Sequence, residues 1–553
     1  MIPIPQAPEW ILHSGRVHAD EVPGRTTEAI AIGGKRILAI GSDRDLLSLA
    51  GPGTRKHDLG GRRVIPGLID SHNHLSIVGQ GSLGCDISGI ASIDDLLEAI
   101  RAAALTTEPG AWIMTTQVGE SVISHELREG RYPYRRELDR AAPNHPVCVR
   151  SFHVGILNTK ALERLGITRS TPSPKGGEIG RQPQPDGELD GRFYEAAWTT
   201  LVERRLPEPS LERRVSAIES AARKLNRLGI TQVCEHGIPW KTWEAYGAAQ
   251  RANRLSVKVS AHLHVGPGSQ VEDDGEAIRE VGRIRQASSP GDRVTLDGVK
   301  VFIDGGVALG TAYFARPYRT AYGEWTNGLQ VTPAERLRSI VRLCLENRIQ
   351  ISQHASGDAA IAHVLDAYDA VADSAAIRNG RFILVHCQFP VERDIDRIAD
   401  RGVLVAAQTL FLYNMGQGYT QYHGERGKSA VPLRTFLDRG CHVGLGSDAP
   451  VNQFHPFMGA WHAMNRVCKA TGERMDAGQA ITESEAFRCY TERNAWFGSR
   501  EASTGRLVAG AAADLAILES DPDLSSLESA LATRVACTIV DGEIVHGSLP
   551  ATD

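Results

Sequence analysis

The feature that most narrows the folds open to this chain is a rhythm: short apolar runs alternate with helical patterns through most of its length. That alternation marks a parallel sheet whose strands are joined and covered by crossover helices. Candidate inner strands fall at 67–71, 231–235, 257–263, 298–303, 350–353, 382–385, 402–406 and 442–446. Eight of them predict an α/β chain folded as a (β/α)8 TIM barrel. Their spacing is regular apart from the long interval between the first and the second. Residues 76–225 are therefore read as an insertion after barrel strand 1, a cap-like domain able to cover the barrel mouth. It has strands of its own at 112–116 and 147–151 and a Pro/Gly-rich loop over 171–191. Both ends of the chain, 1–62 and 501–553, read instead as short strands around two-residue turns, Gly33-Gly34 and Asp541-Gly542. Together they predict one small β-sandwich built from both termini, leaving 63–75 for the first barrel strand and 226–500 for the rest of the barrel.

A chain of 553 residues can hold such a barrel, typically about 250 residues, with accessory parts. Its 66 acidic and 61 basic residues leave a formal net charge of -5, so no strong field for nucleic acid or an anionic membrane is expected. No nucleic-acid-binding module is recognisable either. The opening MIPIPQAPEW lacks the basic start and apolar core of a signal peptide, and no run of about 18 apolar residues occurs. The expectation is a cytoplasmic protein with no membrane partner. Nine cysteines without a CxxC pair suggest buried thiols rather than a disulfide framework or a zinc knuckle.

The chemistry-bearing residues gather at strand ends. In His72-Asn73-His74 the two imidazoles, two residues apart in extended chain, point to one side and can meet one cation. Taken alone, such a triplet is equally a surface or packed pair of histidines. Lys300 lies inside the apolar strand DGVKVFID, where an unpaired ammonium is costly unless it reaches water. His354, His386 and Asp448 each end an apolar strand. Each has an ordinary packing or capping explanation, but five coincidences at the carboxyl ends of barrel strands, where barrel active sites lie, point to a shared ligand. Asp304 falls just past the strand carrying Lys300 and is expected to support a loop or a ligand. Phe314, Tyr318, Phe411 and Tyr413 follow strands four and seven, where an apolar substrate group or ordinary packing would account for them.

The motifs VIPGLIDSHNHL, NHPVCVRSFHVGILNTKAL, DGVKVFIDGGVALGTAYFARPY, ISQHASGDAAIAHVLDAY, ILVHCQ, GLGSDAPV and ADLAILESDP follow one another along the chain. In this order they resemble the amidohydrolase superfamily, and within it amidohydrolase family 3, which includes N-substituted formamide deformylases. The resemblance implies that His72, His74 and Asp448 hold one metal ion, that His354 and His386 hold a second, and that Lys300 bridges both as a carboxylated lysine. The physical chemistry agrees. A neutral buried amine can take up carbon dioxide, and two cations stabilise the resulting charge. Such a pair can share one water and lower its pKa towards 7, while Asp448 accepts the water's proton and passes it to the departing nitrogen. Zinc suits this ligand set, as do manganese, iron and cobalt. His153, inside the resembling stretch, is a candidate contact to a carbonyl oxygen or substrate. The expected activity is hydrolysis of a small-molecule linear amide, an N-substituted formamide foremost. A cyclic amide hydrolase is the nearer alternative. A ring deaminase usually has an acid soon after the strand histidine, whereas His386 is followed by Cys387-Gln388-Phe389. A non-catalytic metal-binding assembly protein would be expected to lack ligands. A homodimer is the expected assembly on general frequency.

Overall fold

The computed structural model describes residues 7–18, 26–81, 84–87, 89–118, 123, 127–151, 154–174, 177–182, 187–195, 197–289, 291–307, 310–319 and 325–550. At its centre lies one eight-stranded sheet: β1 (Leu68–Asn73), β2 (Ile230–Ile238), β3 (Lys258–His264), β4 (Val294–Phe302), β5 (Gln350–Ala355), β6 (Ile383–His386), β7 (Leu404–Ala407) and β8 (His442–Leu445). Each strand pairs in parallel with its neighbour in sequence. β1, β6 and β7 are buried at every position, as expected of strands covered on both faces. This is the TIM barrel that the alternating pattern predicts. The helices between strands carry matching local signals. Asp273 caps the helix Asp274–Ala287 by accepting from the Glu276 N–H, and its Ala277, Ile278 and Val281 turn inward. The helix Glu392–Arg401 stops at Gly402, whose φ of 61° closes the last turn.

β1 and β8 stand at the two ends of the ladder order, and their junction is closed mainly by other means. Asp448 N–H donates to the His72 carbonyl at 2.7 Å and His74 N–H to the Ala449 carbonyl at 2.9 Å. Below these, the Asn494 carboxamide nitrogen donates to Ile69 O at 2.5 Å and to Leu445 O at 2.7 Å, joining a carbonyl of each strand. Asp70 accepts from the Ser447 hydroxyl (2.6 Å), the Ser447 N–H (2.9 Å), Asn73 Nδ2 (3.0 Å) and the His72 N–H (3.2 Å). Gly446 permits this approach, since a Cβ there would sit 2.6 Å from the His72 nitrogen.

Two further sheets form the sandwich. One orders Arg36–Gly41, Ala29–Gly33, Trp10–His13 and Arg55–Asp58; the other orders Glu543–Gly547, Val535–Val540, Leu515–Leu518, Arg63–Pro66, Arg16–His18 and Thr26–Thr27. Trp10, Leu12, Ile30, Val64, Leu515 and Ile539 share the core between them. Two local readings change. The segment 63–75 does not all belong to the barrel strand: Arg63–Pro66 pairs with Leu515–Leu518 in the sandwich, and the barrel strand starts at Leu68. Proline lacks the N–H needed to continue a ladder. The first hairpin turns on Gly34 and Lys35, because Gly33 still pairs with Arg36. The second keeps the expected turn, with Asp541 and Gly542 both at positive φ.

Residues Leu75–Ala221 form a second compact unit. Its five-stranded sheet contains Ile113–Val118, Val147–Ser151, Val154–Leu157, Gly177–Gln182 and Glu188–Glu195. The last two form an antiparallel pair inside the stretch read as a loop. Their glycines and charged residues hide the alternation, although Ile179 and Phe193 sit opposite each other in the core. All nine cysteines are free and buried, and among the described residues no helix is long and apolar enough to cross a membrane.

At the start of β3 the Lys258 ammonium, buried, lies 2.5 Å from Asp514 and 2.7 Å from Asp541, tying the barrel base to the strands of the C-terminal segment. Removing one partner of a buried charge set strands the others. Lys258→Met is expected to cost about 3–5 kcal/mol, measured as a lower urea midpoint. A second expectation concerns acid. His462 is fully buried, and burial first, with the Arg466 guanidinium second, lowers its pKa to about 3. The unfolded chain takes up that proton near pH 6.5 while the folded protein resists it, so this contribution to stability is complete above pH 6.5 and is lost as pH falls. At pH 4 the loss from this residue is about 3 kcal/mol. His462→Leu is expected to reduce the drop in urea midpoint between pH 7 and pH 4 accordingly.

Candidate metal centre

The barrel brings five of the singled-out side chains together at the carboxyl ends of its strands. His72, next to last in β1, and His74, just beyond it, face the same way with ring centroids 4.9 Å apart. Asp448, three residues past β8, places Oδ1 at 3.1 Å from His72 Nε2 and 3.0 Å from His74 Nε2. His386 closes β6 with its ring 5.4 Å from that of His72, and His354 of β5 lies 4.5 Å from His386. Donor atoms of His72, His386 and Asp448 all fall within 4.8 Å of one another, a spacing one cation can span. His386, Cys387 and Asp448 adopt left-handed backbone, with φ of 74°, 46° and 58°. For residues with a Cβ this conformation costs energy and recurs at functional sites.

The nitrogens are sorted as ligands require. His72 Nδ1 meets His236 Nδ1 at 3.1 Å, His354 Nδ1 meets Asp304 Oδ1 at 2.9 Å, and His386 Nδ1 meets Gln408 Oε1 at 2.7 Å. With each Nδ1 engaged, the Nε2 atoms remain for a shared centre, the arrangement found behind metal-bound histidines. Asp304 does more than hold His354, accepting also from the N–H groups of Tyr313, Ser356 and Gly357 at 3.0, 3.0 and 2.9 Å.

Electrostatics favour the same protonation states. Burial lowers the His72 pKa to about 3 against the pull of Asp448, and burial likewise drives His386 well below its usual value. For Asp448 burial raises the pKa, but its interactions with His72, His74 and His386 outweigh it, holding the carboxyl well below 3.8. Neutral imidazoles beside a carboxylate are ready to bind a cation. Lys300, within β4 and 1% exposed, has an Nζ with no hydrogen-bond partner among the described residues. Burial lowers its pKa to about 7, with Asp448 and Asp304 opposing the fall. A deep amine left unpartnered among these side chains fits a centre that takes up divalent cations, since such ions would stabilise the negative charge the neutral amine gains on adding carbon dioxide.

Other expectations are placed differently. His153 lies outside the described residues. Phe314 and Tyr318 pack with Phe389 and His423 into a buried aromatic cluster, in which the Tyr318 hydroxyl donates to Ala312 O. Phe411 stands edge-on to His386 at 5.6 Å, and Tyr413 packs against Trp461. The sequence reading missed His236, Gln408 and Asp70. For His236 a signal existed: β2 continues past 235 to Ile238, and it brings a histidine against His72.

The model of the Amidohydrolase family matches residues 56–546. The N-substituted formamide deformylase of Arthrobacter pascens is 28% identical, covering 97% of this chain and 98% of its own. An uncharacterized metal-dependent hydrolase from Pyrococcus furiosus has the same fold, with a TM-score of 0.73 at 24% identity over 93% of this chain and 99% of that one. One from Pyrococcus horikoshii OT3 gives a TM-score of 0.75 at 23% identity over 94% and 99%. Matched from the sandwich strand at residue 56 to the last at 546, this chain belongs to the amidohydrolase family and is a hydrolase.

Proposed function

We propose that this chain hydrolyses a non-peptide amide of a small molecule, R–CO–NH–R′ with water giving an acid and an amine, and that N-substituted formamides, which release formate, are the leading substrates. The observation that carries the reading is the ring of Nε2 atoms and Asp448 gathered beside the unpartnered amine of Lys300. The 28% identical relative, named for formamide deformylation, supports the choice of acyl group.

In this reading His72, His74 and Asp448 hold one divalent cation and His354 and His386 a second, zinc first, with manganese, iron and cobalt suited to the same donors. When bound, such a pair supplies Lewis acidity towards a carbonyl oxygen and lowers the pKa of water. Lys300 would supply a further oxygen donor to the pair once its amine had added to carbon dioxide and released one proton, which turns a cation-forming side chain into an anionic carbamate. Burial prepares it by leaving much of the amine neutral near pH 7. Asp448 takes the proton from the attacking water and returns it to the nitrogen, which must be protonated to leave. Its carboxyl, held ionised by His72 and His74, starts in the accepting form. Phe411 beside His386 and Tyr413 beside Trp461 offer apolar surface in the same strand-seven segment.

The test loads the purified protein with zinc in bicarbonate buffer and offers N-alkyl and N-aryl formamides, acetamides, cyclic amides and aminopurines, measuring formate, amine and ammonia. Formate with the matching amine is expected, lost in Lys300→Ala and reduced about 10²–10⁴-fold in kcat by Asp448→Asn. Ammonia from the rings, or ring-opened product from the cyclic amides alone, would overturn the proposed substrate class.

A further inference from the structure

Three histidines of β1, β2 and β3 form a column of which only His72 belongs to the proposed ligand set. The His72 and His236 rings lie 5.0 Å apart and 23° from parallel, and the His236 and His262 rings 4.6 Å apart. The contact between the first two is specific: Nδ1 faces Nδ1 at 3.1 Å. Two bare nitrogens or two N–H groups at that distance repel, so one ring donates and the other accepts. His72 can offer its Nε2 lone pair to a cation only when its proton sits on Nδ1. That proton then needs an acceptor, and His236 Nδ1 occupies the position.

His236 is built for that task. Its ring is fully buried, and its Nε2 meets no hydrogen-bond partner among the described residues, so nothing else dictates which nitrogen carries its proton. The same service reaches His354 from the Asp304 carboxylate and His386 from the Gln408 amide oxygen. Gly237 follows with φ of 97°, where a Cβ would come 3.5 Å from Lys300 Cγ, so β2 also packs along the lysine stem.

We infer that His236 is a positioning residue of the cation site: it accepts the Nδ1–H of His72 and so fixes the tautomer and ring angle that turn Nε2 towards the metal. The inference rests on the reading of His72 as a ligand given above. Metal-bound histidines orient through such partners, whose loss typically weakens metal affinity about 10–100-fold.

The experiment titrates cobalt(II) into the metal-free full-length protein, following the visible spectrum, and measures zinc retained after dialysis. Wild type, His72→Ala, His236→Phe, His236→Leu and His236→Asn are compared, with circular dichroism to verify folding. Expected are one equivalent lost in His72→Ala, about 10–100-fold weaker binding at one site in His236→Phe and His236→Leu, and affinity within a few-fold of wild type in His236→Asn, whose Oδ1 can accept. The leucine variant replaces the phenylalanine one if the larger ring prevents folding. A role in packing alone would leave the asparagine variant as weak as the apolar ones, and that result overturns the inference. Unchanged affinity in folded His236→Phe or His236→Leu also overturns it while leaving the ligand reading intact. Wild type that binds neither cobalt nor zinc overturns both.

Discussion

Closure of the barrel is the constraint on which the rest depends. A parallel barrel must join its first strand to its last, and here those strands are far apart in the chain. The junction relies on side chains as well as backbone: Asn494 satisfies one carbonyl from each strand, and Asp70 accepts two hydrogen bonds from Ser447 across the gap and two more from its own strand. Since His72 and His74 leave one side of this seam and Asp448 the other, the bonds that close the barrel also set the separation of these three groups. Functional geometry of this kind tolerates displacements of only about 0.5 Å. A seam of short hydrogen bonds directly beneath the site meets that requirement better than a mobile loop would.

The two ends of the barrel treat a buried lysine in opposite ways. At the base Lys258 is neutralised by two carboxylates and serves cohesion. At the mouth Lys300 has no such partner among the described residues, and three backbone positions of the candidate centre adopt left-handed conformations. Selection for stability alone would pair that amine or replace it with leucine. The concentration of unfavourable features in one place, offset by an extensive apolar core elsewhere, is the usual mark of a site maintained for its chemistry.

Much of this was legible in the sequence because it rests on local periodicity. The eight strands announced themselves as apolar runs, and His354, His386 and Asp448 stood out as polar residues at the ends of such runs. What stayed hidden depends on contacts between distant segments. Asn494 lies on a short helix whose local sequence gives no hint that it bridges β1 and β8. Asp70 looks like an acid interrupting a strand until Ser447 is brought to it. Pro66 divides one hydrophobic run between two sheets, a division decided by the pairing of Arg63–Pro66 with Leu515–Leu518. The strands Gly177–Gln182 and Glu188–Glu195 are half glycine and charge, and only their antiparallel pairing reveals which side chains are interior.

That division at Pro66 bears on how the protein is made. The segment leading into His72 is held by a strand that the ribosome delivers only after all eight barrel strands. Until then, β1 lacks its anchor in the sandwich, and its seam with β8 waits for residues 445–449 and 494. The nascent chain must therefore carry its histidine pair on an unsecured strand while most of the barrel emerges. Assembly of the candidate metal centre is consequently completed only after the whole barrel has been synthesised.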